Sequence, residues 1–392
     1  MLLRPSGGAA PQGIHGVAPR VLQLLPDAPS LSSTNNALAL ASALQSDGGV
    51  SVVAGGNALT EAKLSRASVD HRPFSSARPS MFQHGATQAL LDTVHHRQID
   101  LIHVHGAEAG LAARAFADAA NLPLVMTCDE VPASSGFLSR RAARKTLSGR
   151  PVVVRSTYAA QCLRRDFGLA ETDVQIIRPG IDAAAFDAGM VTQARTIALA
   201  GAWGLQDDAR PVILVPGATA DPQWLDWVLN AAAAPEAPEA AWILCGQAQE
   251  TAAALAQINR SAALGRVRWF ADCSDWAAAY KLAALVMSLP VSRNGWCPHA
   301  LQAQAMGRSV VASDVGGNGE GIEPGKTGWL VRHRDIGSLI YAASAAMDRE
   351  DIIREAMSLA GRTLVRSRYS LSRMQSETLS LYQDVLAQAA PG

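Results

Sequence analysis

Two histidines, His103 and His105, lie at the end of an apolar run of strand length. Imidazole side chains in such a position could bind a metal ion or transfer a proton. A protein metal site needs at least a third ligand, and the neighbouring sequence does not indicate one. Histidines on strands more often pack inside the sheet, so we expect both to have a structural role.

The segment RNGWCPH, residues 293–299, contains a second set of residues that could bind a ligand. Trp296 could stack on a sugar or a base, or could simply fill space between elements. Arg293 could supply positive charge to an anionic ligand. The residues alone leave these alternatives open.

The five cysteines do not form a recognisable site. They are widely spread and include no CxxC pair, which argues against a zinc site or a disulfide framework and fits a reducing compartment. We expect them to be buried apolar thiols. They are Cys128, Cys162, Cys245, Cys273 and Cys297.

Length and composition predict two sizeable domains. The chain has 392 residues, of which 48% are hydrophobic and 17% are charged, so wholesale disorder is excluded. Its 34 Lys and Arg balance 34 Asp and Glu, which argues against a dedicated nucleic-acid binder. Without an 18-residue apolar run, no membrane-spanning helix is expected. We expect a cytoplasmic protein, with peripheral contact at the inner membrane left open.

Short apolar runs alternate with helix-length amphipathic runs along the chain, which predicts doubly wound parallel sheets. The series begins at residue 21, ends near residue 177 and starts again at residue 212. We therefore predict an α/β chain with a loose tail over 1–19, a first Rossmann-like domain over 20–186 and a second over 187–369. Helical spacing over 370–392 predicts a helix that crosses back to the first domain. Strands are expected at 21–25, 50–54, 101–105, 124–127, 152–154 and 175–177, then at 212–215, 241–245, 267–270, 285–288, 309–312 and 328–331.

Several motifs together resemble the retaining glycosyltransferases of family 4. They are RPGID at 178–182, VILVPG at 212–217, WILCG at 242–246, QAQAMGRSVVASDVGG at 302–317 and PGKTGWLV at 324–331, with VLQLLP at 21–26 and DLIHVHG at 100–106 in the first half. The resemblance covers roughly residues 20 to 388. It implies the GT-B fold, with two Rossmann-like lobes facing a cleft. It also implies a nucleotide-sugar held mainly by the C-terminal lobe, an acceptor held mainly by the N-terminal lobe, and no metal or other cofactor.

The resemblance places two donor-site cations where this chain has none. The family has an Arg just after the first strand of the second lobe and a Lys five residues later, and these positions are Ala218 and Gln223 here. No Lys or Arg occurs over 217–230. Because the departing diphosphate gains negative charge, loss of each contact should cost about 1.5–3 kcal/mol.

Both carboxylates of the family's Glu-x7-Glu motif are amides in this chain, namely Asn294 and Gln302. Gln302 could still bind ribose hydroxyls. Asn294 could touch the donor sugar but cannot support positive charge at an oxocarbenium-like centre. The alternative for both is a structural role at the start of a helix.

In the first lobe the family's glycine pair corresponds to Leu31 and Ser32, whose Cβ atoms would restrict approach to phosphates. A family histidine corresponds to Asp129. Asp129 could contact an acceptor or act as a weak base, and the plainer interpretation is a solvated loop carboxylate.

The backbone part of the donor site is retained. The resemblance aligns Gly316 and Gly317 with a glycine-rich turn whose N–H groups face the sugar and the phosphates. Glu320 follows it at an acidic family position, which we interpret as structural. Arg293 or Lys326 could replace missing charge. The remaining glycines of the expected nucleotide-sugar site are Gly217, Gly246 and Gly295.

Three hypotheses follow. The first is a glycosyltransferase that moves sugar from a nucleotide-sugar to a cell-envelope lipid or polysaccharide. The second, favoured by the simultaneous loss of two cations and two carboxylates, is an inactive pseudoglycosyltransferase that acts as partner or regulator of an active glycosyltransferase. The third, least supported by the motifs, is another GT-B enzyme such as a nucleotide-sugar epimerase.

Overall fold

The computed structural model describes residues 18–75, 84–132, 136–217, 222–246, 251–290 and 298–389. Two parallel sheets, each with helices on both faces, form two Rossmann-like lobes, as the sequence predicts. The first is here called the N-lobe and the second the C-lobe. Within the described ranges, every helix is too short or too polar to span a bilayer.

The N-lobe is built on a seven-stranded sheet. Its strands are β1 (Arg20–Leu24), β2 (Val50–Ala54), β3 (Asp70–Arg72), β4 (Leu101–His105), β5 (Leu124–Cys128), β6 (Val152–Val154) and β7 (Val174–Ile176). Its helices are α1 (Leu31–Ser46), α2 (Ala58–Arg66), α3 (His84–Arg97), α4 (Gly110–Ala120), α5 (Phe137–Leu147) and α6 (Thr157–Phe167). The strand order β3-β2-β1-β4-β5-β6-β7 reverses between β1 and β4, and ligands of such sheets bind where the order reverses.

The C-lobe repeats this plan with six strands. They are β8 (Val212–Pro216), β9 (Ala241–Cys245), β10 (Val267–Phe270), β11 (Ala283–Ser288), β12 (Ser309–Ser313) and β13 (Trp329–Val331). Its helices are α7 (Gln193–Ala202), α8 (Pro222–Ala233), α9 (Thr251–Arg260), α10 (Trp276–Leu282), α11 (Pro298–Ala305), α12 (Ile336–Met347) and α13 (Asp351–Arg368). The order β10-β9-β8-β11-β12-β13 places the reversal between β8 and β11.

The central strands are mostly apolar because helices cover both faces of each sheet. Strands β4, β5, β8 and β9 are buried at every residue.

Polar caps set the helix starts: the Ser156 side chain accepts from the N–H of Ala159 at the start of α6. That helix ends at Gly168, whose φ of 64° suits glycine.

The helical segment between β4 and β5 has two parts. A 3-10 turn at Ala107–Ala109 precedes α4, which starts at Gly110. A Cβ at Gly110 would lie 2.5 Å from the Thr146 methyl and 2.8 Å from the Met126 methyl. The helix therefore starts where its backbone approaches its neighbours too closely for any side chain.

The last helix, α14 (Leu371–Ala389), returns to the N-lobe as the sequence predicts. Met374, Tyr382 and Val385 pack into the N-lobe core. The Gln375 amide donates to the Ala39 carbonyl of α1 at 2.8 Å. Where α14 begins, the N–H of Ile181 donates to the Tyr369 carbonyl and the N–H of Leu371 donates to the Ile181 carbonyl. These two hydrogen bonds join the segment that connects the lobes to the start of α14.

The cysteines agree with the expectation of buried thiols where the structure describes them. Four are free and buried: Cys128, Cys162, Cys245 and Cys273. Cys297 and the tail over 1–17 lie outside the described residues.

Candidate functional site: the crevice between the lobes

The two lobes touch at the carboxyl ends of their strands. A 3-10 turn at Asn318–Gly321 follows β12 in the C-lobe and carries Glu320. The Glu320 carboxylate accepts hydrogen bonds from the N–H groups of Thr157 at 3.0 Å and Tyr158 at 2.8 Å, at the start of α6 in the N-lobe. A carboxylate in this place satisfies N–H groups that a helix start leaves open and complements the helix dipole. The structural role predicted for Glu320 is thus an interlobe contact.

The glycine turn beside Glu320 is fixed from below. Gly316 has φ of 59°, a conformation that disfavours other residues. The buried Asn318 amide donates to the carbonyl groups of Ser288 at 3.1 Å and Ser313 at 3.0 Å, and thus ties the turn to the ends of β11 and β12. Among the described residues, the N–H groups of Gly316 and Gly317 donate no hydrogen bond within the protein. Neither N–H group is therefore used by the fold, and both lie at the carboxyl end of β12, Gly316 partly exposed and Gly317 buried.

Gln302 lies on α11 and belongs to a polar cluster with two neighbours. The Tyr280 hydroxyl donates to the Gln302 side-chain oxygen at 2.7 Å and lies 2.6 Å from His299 Nδ1. Since the hydroxyl hydrogen points to Gln302, His299 Nδ1–H donates to the hydroxyl oxygen. Burial lowers the pKa of His299 to about 4, although the hydrogen bond with Gln302 acts in the opposite direction. The Gln302 oxygen thus has one lone pair in use, and among the described residues its second lone pair and its NH₂ group are left for a ligand.

Two other predicted donor-site glycines already use their N–H groups. Gly217, with φ of 79°, donates to the Cys245 carbonyl at 2.6 Å. Gly246 donates to the Phe270 carbonyl at 3.0 Å. Both hydrogen bonds extend the sheet beyond the ends of β8 and β9. At these two positions a ligand could contact the backbone carbonyl groups, and the lack of a side chain would let it approach closely.

Gln223, at the predicted lysine position, lies on the exposed first turn of α8. It lines a cavity of about 460 Å³ together with Arg334, which follows β13. Arg334 has φ of 58°, an uncommon backbone conformation for a residue other than glycine. Sequence reasoning missed this cation because it lies 111 positions further along the chain. Lys326, the other predicted substitute, forms an ion pair with Glu323 at 2.7 Å.

The expectation that Asp129 is a solvated loop carboxylate is wrong. Its side chain is only 13% exposed, and Oδ1 accepts from Arg155 Nε at 2.9 Å. Oδ2 accepts from the Ser33 hydroxyl at 2.9 Å. Burial alone would raise the pKa of Asp129, but the charge and hydrogen bond of Arg155, with smaller contributions from His105 and Ser33, lower it below its ordinary value. A carboxylate so fully engaged is a weak base, and its main effect here is to join α1 to the end of β6.

The two histidines of β4 are buried in a hydrogen-bonded network, in agreement with the structural role expected. His103 contacts the Tyr382 hydroxyl at 2.6 Å and the Thr127 hydroxyl at 2.7 Å. His105 Nε2 lies 2.8 Å from the Gln23 side-chain oxygen, which can only accept, so Nε2 carries the proton. Burial lowers the pKa of His105 to about 4, and burial with the charges of His105 and Arg155 lowers that of His103. In the described part of the chain, no group of three or more metal-binding side chains occurs.

Five residues of the predicted site or its surroundings lie outside the described residues: Ala218, Arg293, Asn294, Gly295 and Trp296. Their proposed roles therefore stay predictions from sequence.

Two family models match the chain, one in each lobe. The model described as Glycosyltransferase Family 4 matches residues 34–185. The model described as Glycosyl transferases group 1 matches residues 210–349. No curated protein matches the sequence.

Solved glycosyltransferases share the fold over almost the whole chain. A glycosyltransferase from Rickettsia africae has a TM-score of 0.84 at 17% identity, covering 94% of this chain and 98% of its own. Anabaena HepE in complex with UDP has a TM-score of 0.78 at 16% identity, covering 93% and 100%. WaaG, described as involved in lipopolysaccharide biosynthesis, has a TM-score of 0.66 at 13% identity, covering 92% and 99%. The N-lobe is therefore similar to a Glycosyltransferase Family 4 domain and the C-lobe to a Glycosyl transferases group 1 domain, and the two Rossmann-like lobes together have the GT-B fold.

Proposed function

We propose that this protein binds a nucleotide-sugar in the crevice of the C-lobe and that its transfer of the sugar is strongly impaired. The observation that carries the proposal is the pair of N–H groups at Gly316 and Gly317, which have no partner among the described residues and lie in a turn held by Asn318 at the end of β12. Fixed N–H groups at a strand end are suited to phosphate or sugar oxygens because they need no reorganisation on binding. The HepE structures, solved with UDP and with UDP-glucose, favour a uridine nucleotide as the first donor to test.

We expect impaired transfer because two positive charges of the donor site are missing. A retaining transfer leaves a diphosphate whose negative charge grows in the transition state, and Ala218 and Gln223 offer it no cation. Two lost charge-assisted contacts correspond to about 3–6 kcal/mol, or roughly 10²–10⁴-fold. Arg334 shares a cavity with Gln223 and is the described cation best placed to recover part of this loss.

Gln302 supports the same conclusion from the side of the ribose. A carboxylate could accept hydrogen bonds from ribose hydroxyls, but the Gln302 oxygen already accepts from Tyr280. The remaining NH₂ group can only donate. The Gln302 oxygen keeps one lone pair for a ribose hydroxyl, so nucleoside binding at this position has fewer acceptor sites than a carboxylate would give and lacks its negative charge.

The acceptor we propose is a cell-envelope lipid or polysaccharide that binds on the N-lobe side of the crevice. We propose a cytoplasmic location for the protein, with peripheral contact at the inner membrane. Support comes from two proteins with the same fold: WaaG is described as involved in lipopolysaccharide biosynthesis, and WaaB is described as a lipopolysaccharide outer core galactosyltransferase.

A second candidate is a pseudoglycosyltransferase that acts as partner or regulator of an active glycosyltransferase. Asp129 favours it, because both oxygens of this predicted acid-base candidate are held by Arg155 and Ser33. Asp129 is then not free for proton transfer.

Calorimetry with UDP, GDP and their common sugar conjugates tests the proposal, combined with measurement of donor hydrolysis. We expect binding of a nucleotide-sugar with very slow hydrolysis. Absence of binding to every nucleotide, together with stable association with an active glycosyltransferase, would establish the second candidate instead. Rapid turnover by the purified chain would contradict both.

A further inference from the structure

The N-lobe has a second cavity, apart from the crevice between the lobes. It lies between α5 and the end of α6 and has a volume of about 600 Å³, within the range of about 300–1,000 Å³ that is usual for small-molecule sites. Four cationic side chains of α5 line it, together with Ser148 and Asp166. The four are Arg140, Arg141, Arg144 and Lys145.

The position of this cavity separates it from the nucleotide-sugar site. Helix α6 touches Glu320 of the C-lobe at its first residues, Thr157 and Tyr158. The cavity is lined by the opposite end of the same helix, at Phe167 and Gly168. Since a helix rises 1.5 Å per residue, these two ends lie about 15 Å apart.

The cations around the cavity exceed what the fold requires. Within the described part of the chain, Arg141, Arg144 and Lys145 are exposed and form no ion pair. Asp166, the carboxylate in the lining, accepts two hydrogen bonds from Arg165 at 2.7 and 2.9 Å, which neutralise its charge. The dipole at the end of α5 corresponds to about half a unit of negative charge, far less than four cations supply.

We propose that this cavity binds the phosphate groups of an anionic ligand. Guanidinium groups donate pairs of parallel hydrogen bonds that match phosphate oxygens, and an ammonium group adds a compact charge. Two arginines and a lysine that have no ion pair among the described residues suit a ligand with two or more phosphate groups. The chain as a whole has a formal net charge of zero, so general attraction of anions does not explain such binding. The proposal is independent of the function proposed for the crevice.

Calorimetry with inorganic tripolyphosphate tests it directly. The test variant combines Arg141→Gln, Arg144→Gln and Lys145→Gln. The control variant combines Arg66→Gln, Arg260→Gln and Arg332→Gln, which removes the same charge from exposed positions elsewhere. All six side chains are exposed, so both variants should fold, which circular dichroism verifies. We expect the test variant to bind tripolyphosphate at least about tenfold more weakly, since three charge-assisted contacts are lost, and the control to bind like the native chain.

Sedimentation with vesicles distinguishes a soluble ligand from a lipid headgroup. Vesicles of phosphatidylcholine, with and without phosphatidylglycerol, are compared for the same three proteins. Binding to phosphatidylglycerol vesicles that only the test variant loses would support the cavity as a phosphate site and identify the headgroup as the source. Absence of binding to both tripolyphosphate and the anionic vesicles would overturn the proposal, as would equal loss in the control variant.

Discussion

Glu320 of the C-lobe caps Tyr158 of the N-lobe: its carboxylate accepts a hydrogen bond from the Tyr158 N–H at 2.8 Å and a second from Thr157. The same residue follows the glycine turn whose N–H groups we assign to the nucleotide-sugar. The cap of α6 and the proposed donor site therefore share one short turn. Ligand contact with that turn and contact between the lobes are structurally coupled.

Loss of this cap should loosen the lobes. We expect Glu320→Ala to lower the free energy of unfolding by about 1 kcal/mol, the usual value of a helix cap, and to increase the radius of gyration in small-angle scattering. Glu320→Gln keeps one accepting oxygen and should have a smaller effect. Glu355→Ala removes an exposed carboxylate and serves as control. Unchanged scattering for Glu320→Ala would show that the contact does not hold the lobes together.

The connection between the lobes depends on a glycine. A Cβ at Gly180 would lie 2.7 Å from the Leu371 Cα and 3.1 Å from the Met374 Cβ at the start of α14. Because backbone must move to admit a methyl group, we expect Gly180→Ala to destabilise the protein by about 1–3 kcal/mol in denaturant unfolding.

Gly136→Ala is the matched control for this substitution, since the nearest described atom to a Cβ there is Ser139 Oγ at 3.9 Å. Equal stability of the two variants would contradict the close packing of α14 on the connection.

Tyr382 anchors the C-terminal helix by a buried hydrogen bond to His103. Tyr382→Phe keeps the ring and leaves His103 Nδ1 without this partner, so we expect a loss of about 1–3 kcal/mol and faster amide hydrogen exchange along α14. Tyr341 is 74% exposed, and Tyr341→Phe should change neither. Unaltered exchange in α14 would refute the anchoring role.

The buried histidines make stability depend on pH. The pKa values of His105 and His299 are lowered to about 4 and that of His103 is also lowered, mainly by burial. The folded protein therefore binds fewer protons than the unfolded chain between the ordinary pKa of 6.5 and about 4. Stability should fall as pH falls through this window, by up to about 1.4 kcal/mol per pH unit for each histidine. The lowered pKa of Asp129 adds a further loss only at more acidic pH.

Urea unfolding at pH 7, 6 and 5 measures this slope. His105→Gln should reduce the slope by the share of one histidine, whatever its effect at pH 7. His95→Gln, at an exposed position, should leave the slope unchanged. A slope that is the same in all three proteins would mean that His105 is not the titrating group.

The sequence predicts the central strands well because burial on both faces requires continuous apolar runs, as in β8 and β9. It misses β3, whose residues Asp70–Arg72 are polar and only partly buried at the sheet edge, and α5, whose basic residues hide the helical period. The same limit applies to the site. Positions of Gly316, Gln302 and Asp129 follow from motifs, but the contacts of Glu320 with backbone N–H groups have no signature in side-chain types. Nor does sequence spacing show that Arg334 and Gln223 share a cavity.

The central claim is that this crevice recognises a nucleotide-sugar with its backbone and lacks the charges that bind and release a diphosphate. Restoring those charges tests it most directly. In a variant combining Ala218→Arg, Gln223→Lys and Gln302→Glu, the Tyr280 hydroxyl can still donate to the new carboxylate. Calorimetric titration of this variant and the native chain with UDP and UDP-glucose should show affinity rising by roughly 10²–10⁴-fold. Unchanged or weaker affinity in the folded variant would contradict the account.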